Sequence, residues 1–398
     1  MYRFNAEKTA NSLRGDHVLI SSVFLLVGLG LVTLYSASFA FAERFFGDGL
    51  YFIVRQLFLA AAGLVLFFIA SWINPELLRK LVKPLTALAA ILCVLTFIPG
   101  AGVVRNGAAR WIRIGPWTYQ PSEMVKLALP VYLAHIFDKK RDCLDSFRSG
   151  VLPPVLVTVL FFSLIYLQNN FSTAVFIALN ALAVFFLAGV RLRYFFGAAV
   201  MFLPLSSLLI LTKEHRVRRL ISYIRPDWEP QGAGYQVRSS LLTVVSGGFW
   251  GKGIGQGTRK IASVPEIQSD FIFSAFAEES GFLGIMLFFL LFSVFAVQAY
   301  RGACKNGSGF ERLLAAGLVT MIVSQALLNI AVVSGCVPAT GIPLPFFSAG
   351  GSSLATTLVC AGLVVNVSRR GLSPGNGIGA SHDEIYMTHN DLEEEDAG

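Results

Sequence analysis

One carboxylate, Asp270, closes a long polar segment and opens a strongly apolar one, in the run Pro265-Glu266-Ile267-Gln268-Ser269-Asp270-Phe271-Ile272-Phe273. A charge at the lip of a bilayer-spanning helix can meet water-borne and lipid-borne groups together. Ionisable residues in membranes are costly enough to be functional by default. The bland reading is that Ser269 or Asp270 only caps a helix N-terminus, accepting backbone N–H bonds. Residue type and position leave these two readings even.

The segment from Lys213 to Asp270 carries nine Lys/Arg against five Asp/Glu. A net basic surface of this kind takes an anion, phosphate or pyrophosphate. Arg216, Lys252 and Arg259 are the candidate cations. The run Gly247-Gly248-Phe249-Trp250-Gly251-Lys252-Gly253-Ile254-Gly255-Gln256-Gly257 offers close backbone approach beside Lys252, Arg259 and Lys260, as a phosphate-cradling turn would. Its glycine spacing is neither a Walker A nor a dinucleotide fingerprint.

Further polar groups flank this centre. Arg105 to Arg113 surround Trp111 with cations, and anchoring in the headgroup layer is the simpler reading of that ring. Glu123 and Lys126 lie three residues apart on one helical face, so a structural salt bridge and a direct substrate contact are equally open. Glu278 and Glu279 fall roughly 12 Å deeper than Asp270 at 1.5 Å rise per residue, where helix packing against a polar partner accounts for both. The stretch from Thr340 to Ser353, with Pro343, Pro345, Gly350 and Gly351, reads as a rigid re-entrant loop that could offer a groove to a lipid headgroup.

The elements that must position these groups are membrane helices. Of 398 residues, 55% are hydrophobic and only 14% charged, which excludes a soluble multi-domain protein. Five dispersed cysteines, Cys93, Cys143, Cys304, Cys336 and Cys360, suggest neither a disulfide framework nor a zinc site. The first apolar run is too long for a cleavable signal peptide. Apolar stretches able to cross roughly 30 Å of hydrocarbon are read at 17–39, 51–73, 81–99, 121–137, 151–168, 171–189, 194–212, 270–299, 311–334 and 349–367. The fold class is therefore an all-α polytopic membrane protein of about ten transmembrane helices, with a large extracytoplasmic loop between helices 7 and 8. Basic residues in the short loops place both termini in the cytoplasm. The expected layout is a cytoplasmic N-terminus at 1–16, a membrane domain at 17–367 containing the loop 213–269, and a disordered tail at 368–398 ending in an acidic run.

Ordered motifs run along most of the chain. They are Ala109-Arg110-Trp111-Ile112, Gln120-Pro121-Ser122-Glu123, Gly234-Tyr235-Gln236, Ser246-Gly247-Gly248, Asp270-Phe271-Ile272-Phe273, Glu278-Glu279, Gly341-Ile342-Pro343-Leu344-Pro345-Phe346 and Gly350-Gly351-Ser352-Ser353. In these, the chain resembles the SEDS family (shape, elongation, division and sporulation), over roughly residues 15 to 370, and the division branch more than the elongation branch. The resemblance implies a bacterial inner-membrane peptidoglycan glycosyltransferase that polymerises lipid II into glycan strands, for septal wall synthesis. It implies Asp270 as the catalytic carboxylate. Glu123 and Lys126 match a membrane-embedded acid and lysine, and Trp111 a loop tryptophan. Arg110, Gln236, Ser352 and Ser353 lie in matching motifs and are carried as substrate-binding candidates. Departures fall at Ala109, Asn169, Asn170, Ser172, Gln268, Ser269 and Ala349.

The implied partners are lipid II, the nascent strand, a class B penicillin-binding protein that cross-links peptides, and divisome or elongasome proteins; no nucleic acid is expected. No cofactor is implied. A divalent cation could share the leaving-group role, although no ligand cluster in the sequence fixes one. Buried ionisable residues in ten spans also suit a lipid II flippase. A scaffold for the transpeptidase and a lateral-wall polymerase of the elongation branch stay open as well.

Overall fold

Backbone N–H and C=O groups in hydrocarbon can be satisfied only within the segment that carries them, so each apolar stretch must be helical. The computed structural model describes residues 2–105, 107–115, 117–225, 233–258, 267–305 and 308–370. Among these, helices occupy all ten expected stretches. They are α1 (Tyr2–Phe46), α2 (Tyr51–Trp72), α3 (Pro75–Leu95), α4 (Pro121–Lys139), α5 (Leu152–Leu167), α6 (Phe171–Leu187), α7 (Leu192–Leu211), α10 (Ile272–Cys304), α11 (Gly309–Val333) and α12 (Gly351–Arg370). Two shorter helices, α8 (Glu214–Ile224) and α9 (Ala233–Ser246), lie in the long connection between α7 and α10.

Seven helices among the described residues are long and apolar enough to cross a membrane; α6 is apolar but shorter. The others, α3 and α4, carry ionisable side chains such as Arg79, Lys83, Glu123 and Lys126. The start of α3 at Pro75, six residues before the expected one, follows from a local signal. The Asn74 side chain accepts from Glu76 N at 3.0 Å, and Pro75 sits where its missing N–H is no loss. The tail expected to be disordered lies, from residue 371, outside the described residues.

The bundle is not purely helical. Strands β1 (Gly102–Arg105), β2 (Ala108–Ile114) and β3 (Trp117–Tyr119) form an antiparallel sheet in the order β1-β2-β3. Val103 pairs with Trp111 and Ile112 with Tyr119, with a bulge between Val103 and Val104. The all-α expectation omitted this sheet, which holds Arg110 and Trp111 on adjacent positions of one strand.

Two backbone breaks shape the core. Within α10, Gly281 adopts φ 64°, ψ −165°, a conformation open to glycine alone. The glycine-rich run fills this break: Lys252 N donates to Glu278 O and Gly253 N to Glu279 O, both at 3.0 Å, while Phe282 N donates to Gly248 O at 2.9 Å. A Cβ at Gly247 would stand 2.3 Å from Ala277 O. These glycines permit helix contact, which corrects the expectation of a phosphate-cradling turn.

The second break is the loop between α11 and α12. Ile342, Leu344, Phe346, Phe347 and Ser348 are buried in the main core, so this segment is a packed wedge and not the open headgroup groove expected. Phe346 has φ 68°, costing about 1–3 kcal/mol for such a side chain. Its carbonyl lies where a Cβ at Gly30 of α1 would be, 2.4 Å away. Phe347 makes edge-on ring contacts with Phe276 and Phe288 of α10 at 5.9 and 5.3 Å, and Gln56 Nε2 holds Ser348 O at 3.2 Å.

Replacing Gly247 with valine is expected to lower thermal stability by roughly 1–3 kcal/mol, the usual cost of overpacking. Gly28→Ala, where no atom lies within 4 Å of the added Cβ, leaves stability unchanged or raised. Melting curves of both variants in one detergent check the contrast.

Candidate active site

Asp270 stands in a turn, two residues before α10 begins. The N-cap position is Phe271, with no side-chain capping bond, so neither Ser269 nor Asp270 is the N-cap residue of this helix. The backbone of Asp270 is anchored from α11: Asn329 Nδ2 donates to Asp270 O at 2.9 Å and to Ile342 O at 2.8 Å. The carboxylate faces the loop, since a Cβ at Gly341 would lie 3.3 Å from Asp270 Oδ2.

Arginines from two other elements come within electrostatic reach of it. Arg110 projects from β2, and its guanidinium donates to Asn169 O. Asn169 has φ 59°, which asparagine tolerates better than most residues, and its Nδ2 donates to Gly107 O at 2.8 Å. One of the family-motif departures thus ties the sheet to the end of α5. Arg216 and Arg219 are one turn apart on α8. Arg219 Nη1 reaches Ala339 O at 3.4 Å. Arg216 is clasped between the rings of Tyr166 and Phe171, at 4.7 and 5.0 Å, with Nη1 donating to Leu209 O at 2.8 Å.

Burial, then the like charge of Arg219, holds the Arg110 guanidinium below its ordinary value; Asp270 opposes the shift and Arg216 adds to it. Burial also lowers Arg219, with Asp270 pulling it back up. Burial and then Arg216, Arg219, Arg110 and Lys213 push His215 below the usual histidine value, which keeps it neutral at pH 7. Two guanidinium groups, those of Arg110 and Arg219, therefore act on the Asp270 carboxylate in a partly desolvated setting, with Arg216 close enough to Arg110 to repel it. Arg216 is only 6% exposed, and its Nε and Nη2, like Arg110 Nε, have no hydrogen-bond partner among the described residues. Buried donors left open in a positive field are suited to an anion.

The other candidates distribute differently. Glu123 and Lys126 form an ion pair at 2.8 Å on α4, each side chain 3% exposed. Lys126 also donates to Gln325 Oε1 at 2.9 Å, and Gln325 Nε2 donates to Pro343 O at 2.8 Å. This chain braces the α11–α12 loop, which favours the structural side of the two readings. Lys252 is taken from the anion cluster by geometry. It pairs at 2.7 Å with the fully buried Glu278, whose Oε1 also accepts from Ser246 Oγ at 3.2 Å.

Glu279 accepts from Ser36 Oγ, and from Gly255 N at 3.0 Å. Trp111 is half-buried, while the stacked ring is Trp117, against Phe58 at 5.7 Å with Arg55 over its face at 4.8 Å. Gln236 is half-buried on α9, and Ser352 and Ser353 occupy the first turn of α12, on elements other than the turn that carries Asp270. Arg259 lies outside the described residues. Among the described residues no group of three His, Cys, Asp or Glu is placed to hold a metal ion.

Arg219 escapes a reading of the sequence because basic residues crowd α8. Its signal is the helical spacing Arg216, Arg219 and Tyr223, which puts all three on one face.

Fold and site define a polytopic helical membrane protein with a carboxylate flanked by buried arginines. The FtsW/RodA/SpoVE family of cell cycle proteins matches residues 16–371. The chain is 35% identical over 355 residues to a probable peptidoglycan glycosyltransferase FtsW from Geobacter sp. (strain M18), covering 89% of this chain and 97% of that protein. It is 37% identical over 361 residues to stage V sporulation protein E of Bacillus subtilis (strain 168), covering 91% and 99%. Among solved structures, a peptidoglycan synthase complex that coordinates polymerization and crosslinking superposes with TM-score 0.73 at 27% identity, over 89% of this chain and 97% of the other. Thermus thermophilus RodA superposes with TM-score 0.65 at 26% identity, over 89% and 97%. The chain belongs to the FtsW/RodA/SpoVE family.

Removing one partner of a buried ion pair typically costs about 3–5 kcal/mol, because the other charge is left unpaired. Lys126→Met is therefore expected to melt well below wild type, and Glu123→Gln combined with Lys126→Met to recover part of the loss. Thermal unfolding of the two proteins in lipid nanodiscs measures the difference.

Proposed function

We propose that this protein is an inverting peptidoglycan glycosyltransferase that polymerises lipid II at the outer face of the bacterial cytoplasmic membrane. The observation that carries this reading is a carboxylate, Asp270, within electrostatic reach of Arg110 and Arg219, with open buried donors on Arg110 and on the neighbouring Arg216. In the proposed step Asp270 removes the proton from the 4-hydroxyl of an acceptor N-acetylglucosamine. That oxygen bonds to C1 of the muramic acid at the reducing end of the growing strand. The bond from C1 to the polyprenyl pyrophosphate breaks, and its electron pair leaves on the pyrophosphate. One direct displacement inverts α to β.

General-base catalysis supplies about 10²- to 10⁴-fold, so charge stabilisation of the leaving group must carry much of the rest. Arg110, Arg216 and Arg219 have the placement for it. A divalent cation arriving with the pyrophosphate would share that charge, and chelation during turnover tests for one.

In this orientation both termini are cytoplasmic, α8, α9 and the sheet are extracytoplasmic, and residues 17–367 form the membrane domain. A class B penicillin-binding protein is the proposed partner, and septal synthesis the proposed process, in keeping with the FtsW relatives. Translocation of lipid II has less support. The space beside Lys126 amounts to about 10 Å³, barely one water's worth.

Asp270→Asn is expected to lower strand synthesis from purified lipid II by roughly 10²-fold or more while the protein stays folded. Wild-type rates in that variant would sink the assignment. Removing a charge-stabilising donor costs about 10²–10³ in turnover, and Arg219→Gln is expected to fall in that range in the same assay.

A further inference from the structure

The start of α6 gathers donors that the contacts of Arg110 and Arg216 leave unused. Asn170 is the N-cap residue of α6, and its side chain makes no capping bond. The first bond of this helix runs from Ala174 N to Asn170 O at 3.0 Å, so the N–H groups of Phe171, Ser172 and Thr173 precede the hydrogen-bonded ladder. Two guanidinium groups stand at this end. Arg110 donates to Asn169 O, one residue before the cap. The guanidinium carbon of Arg216 lies 5.0 Å from the ring centre of Phe171, one residue after it. The two are close enough to repel each other.

Such an arrangement works against itself until something negative joins it. A helix N-terminus carries partial positive charge and favours anions, yet here two cations are set beside it. Asn170 and Arg216 are 5% and 6% exposed. Among the described residues, Asn170 Nδ2, Arg110 Nε, and Arg216 Nε and Nη2 are buried without a hydrogen-bond partner. The clasp between Tyr166 and Phe171 accounts for the faces of the Arg216 guanidinium, and Leu209 O for its Nη1; neither uses the other two nitrogens. An unmatched buried donor costs about 1–3 kcal/mol, and more when charged. Several of them at one helix end call for a ligand with negative charge and more than two acceptor oxygens, which a phosphate supplies.

We propose that the start of α6 is a phosphate subsite, in which Asn170 and the first N–H groups of α6 join Arg216 and Arg110 on one phosphate of a diphosphate. The identity of that diphosphate as the leaving group rests on the glycosyltransferase reading; the binding itself does not. Asp270 is within electrostatic reach of Arg110 and Arg219, so Arg110 links two parts of the site, one for the base and one for the departing phosphate. Asn170 is then a binding residue and takes no part in the proton transfer.

Direct binding to the full chain in phosphatidylcholine nanodiscs tests this without turnover. Wild-type rates in Asp270→Asn would sink the glycosyltransferase reading and leave this result standing. The probes are farnesyl pyrophosphate, inorganic pyrophosphate and farnesol, which has the tail and no phosphate. Wild type is expected to bind the phosphate probes and not farnesol. Asn170→Asp keeps a residue equally suited to the N-cap position, so the fold is retained, while its carboxylate occupies the guanidinium groups and repels the phosphate. It is expected to weaken binding about tenfold or more, as is Arg216→Gln through loss of a charged hydrogen bond. Lys213→Gln makes the same change of net charge at a neighbouring exposed position, and screening holds its effect to about twofold or less. Tighter binding of farnesyl pyrophosphate than of inorganic pyrophosphate assigns the site to a lipid-linked diphosphate, and equal binding assigns it to free diphosphate as well; both support the phosphate subsite. Failure of wild type to bind either phosphate probe, wild-type affinity in Asn170→Asp or Arg216→Gln, an equal loss in Lys213→Gln, or equally tight binding of farnesol overturns it.

Discussion

One side-chain amide holds the two halves of the site together. Asn329 donates to the carbonyls of Asp270 and Ile342, and so fixes the turn that carries the carboxylate against the loop that faces it. Each of those carbonyls lies where the backbone has left its helix, and an unpaired carbonyl in apolar surroundings costs several kcal/mol. One turn earlier on α11, Gln325 treats Pro343 in the same way and passes the tie on to Lys126 and Glu123. A row of polar groups on one face of α11 therefore makes irregular backbone tolerable in the middle of a bundle.

The same constraint explains where the other buried charges sit. Glu278 and Glu279 flank the break at Gly281, and each is met by a group from the glycine-rich run or from α1. These acids bind protein to protein. The site arginines behave differently: Arg216, packed on aromatic rings, and Arg110, crowded by Arg219 and Arg216, keep donors that the described structure leaves open. Chemistry belongs where buried charge is incompletely matched, and structural work where it is matched. That division separates Asp270 and its arginines from Glu123, Lys126, Lys252 and Glu278.

Much of the fold is legible in the sequence because apolar length and turn chemistry are local properties. All ten stretches are helices, although apolar length alone passes over the Asn74-Pro75 start of α3. The short sheet is harder to foresee, since β2 alternates only weakly between buried and exposed positions. Asp270 stands out by its place at a polar-to-apolar junction. Partnerships are less visible, because Lys252 and Glu278 are separated by 26 residues and nothing local announces that they meet. For the same reason the glycine-rich run invites a phosphate reading, when its glycines serve close contact with α10. Arg219 is hidden among like charges until α8 gives it a face.

The proposed mechanism turns on ionised Asp270 acting as the base. A base works only when deprotonated, so its contribution is present above its pKa and lost as pH falls through it. The most direct measurement is the pH dependence of lipid II polymerisation by the purified protein and by Asp270→Asn. If Asp270 is the base, the wild type shows an acidic limb of one proton that is missing from the residual activity of the variant. The same acidic limb in both proteins, at comparable rates, would contradict it.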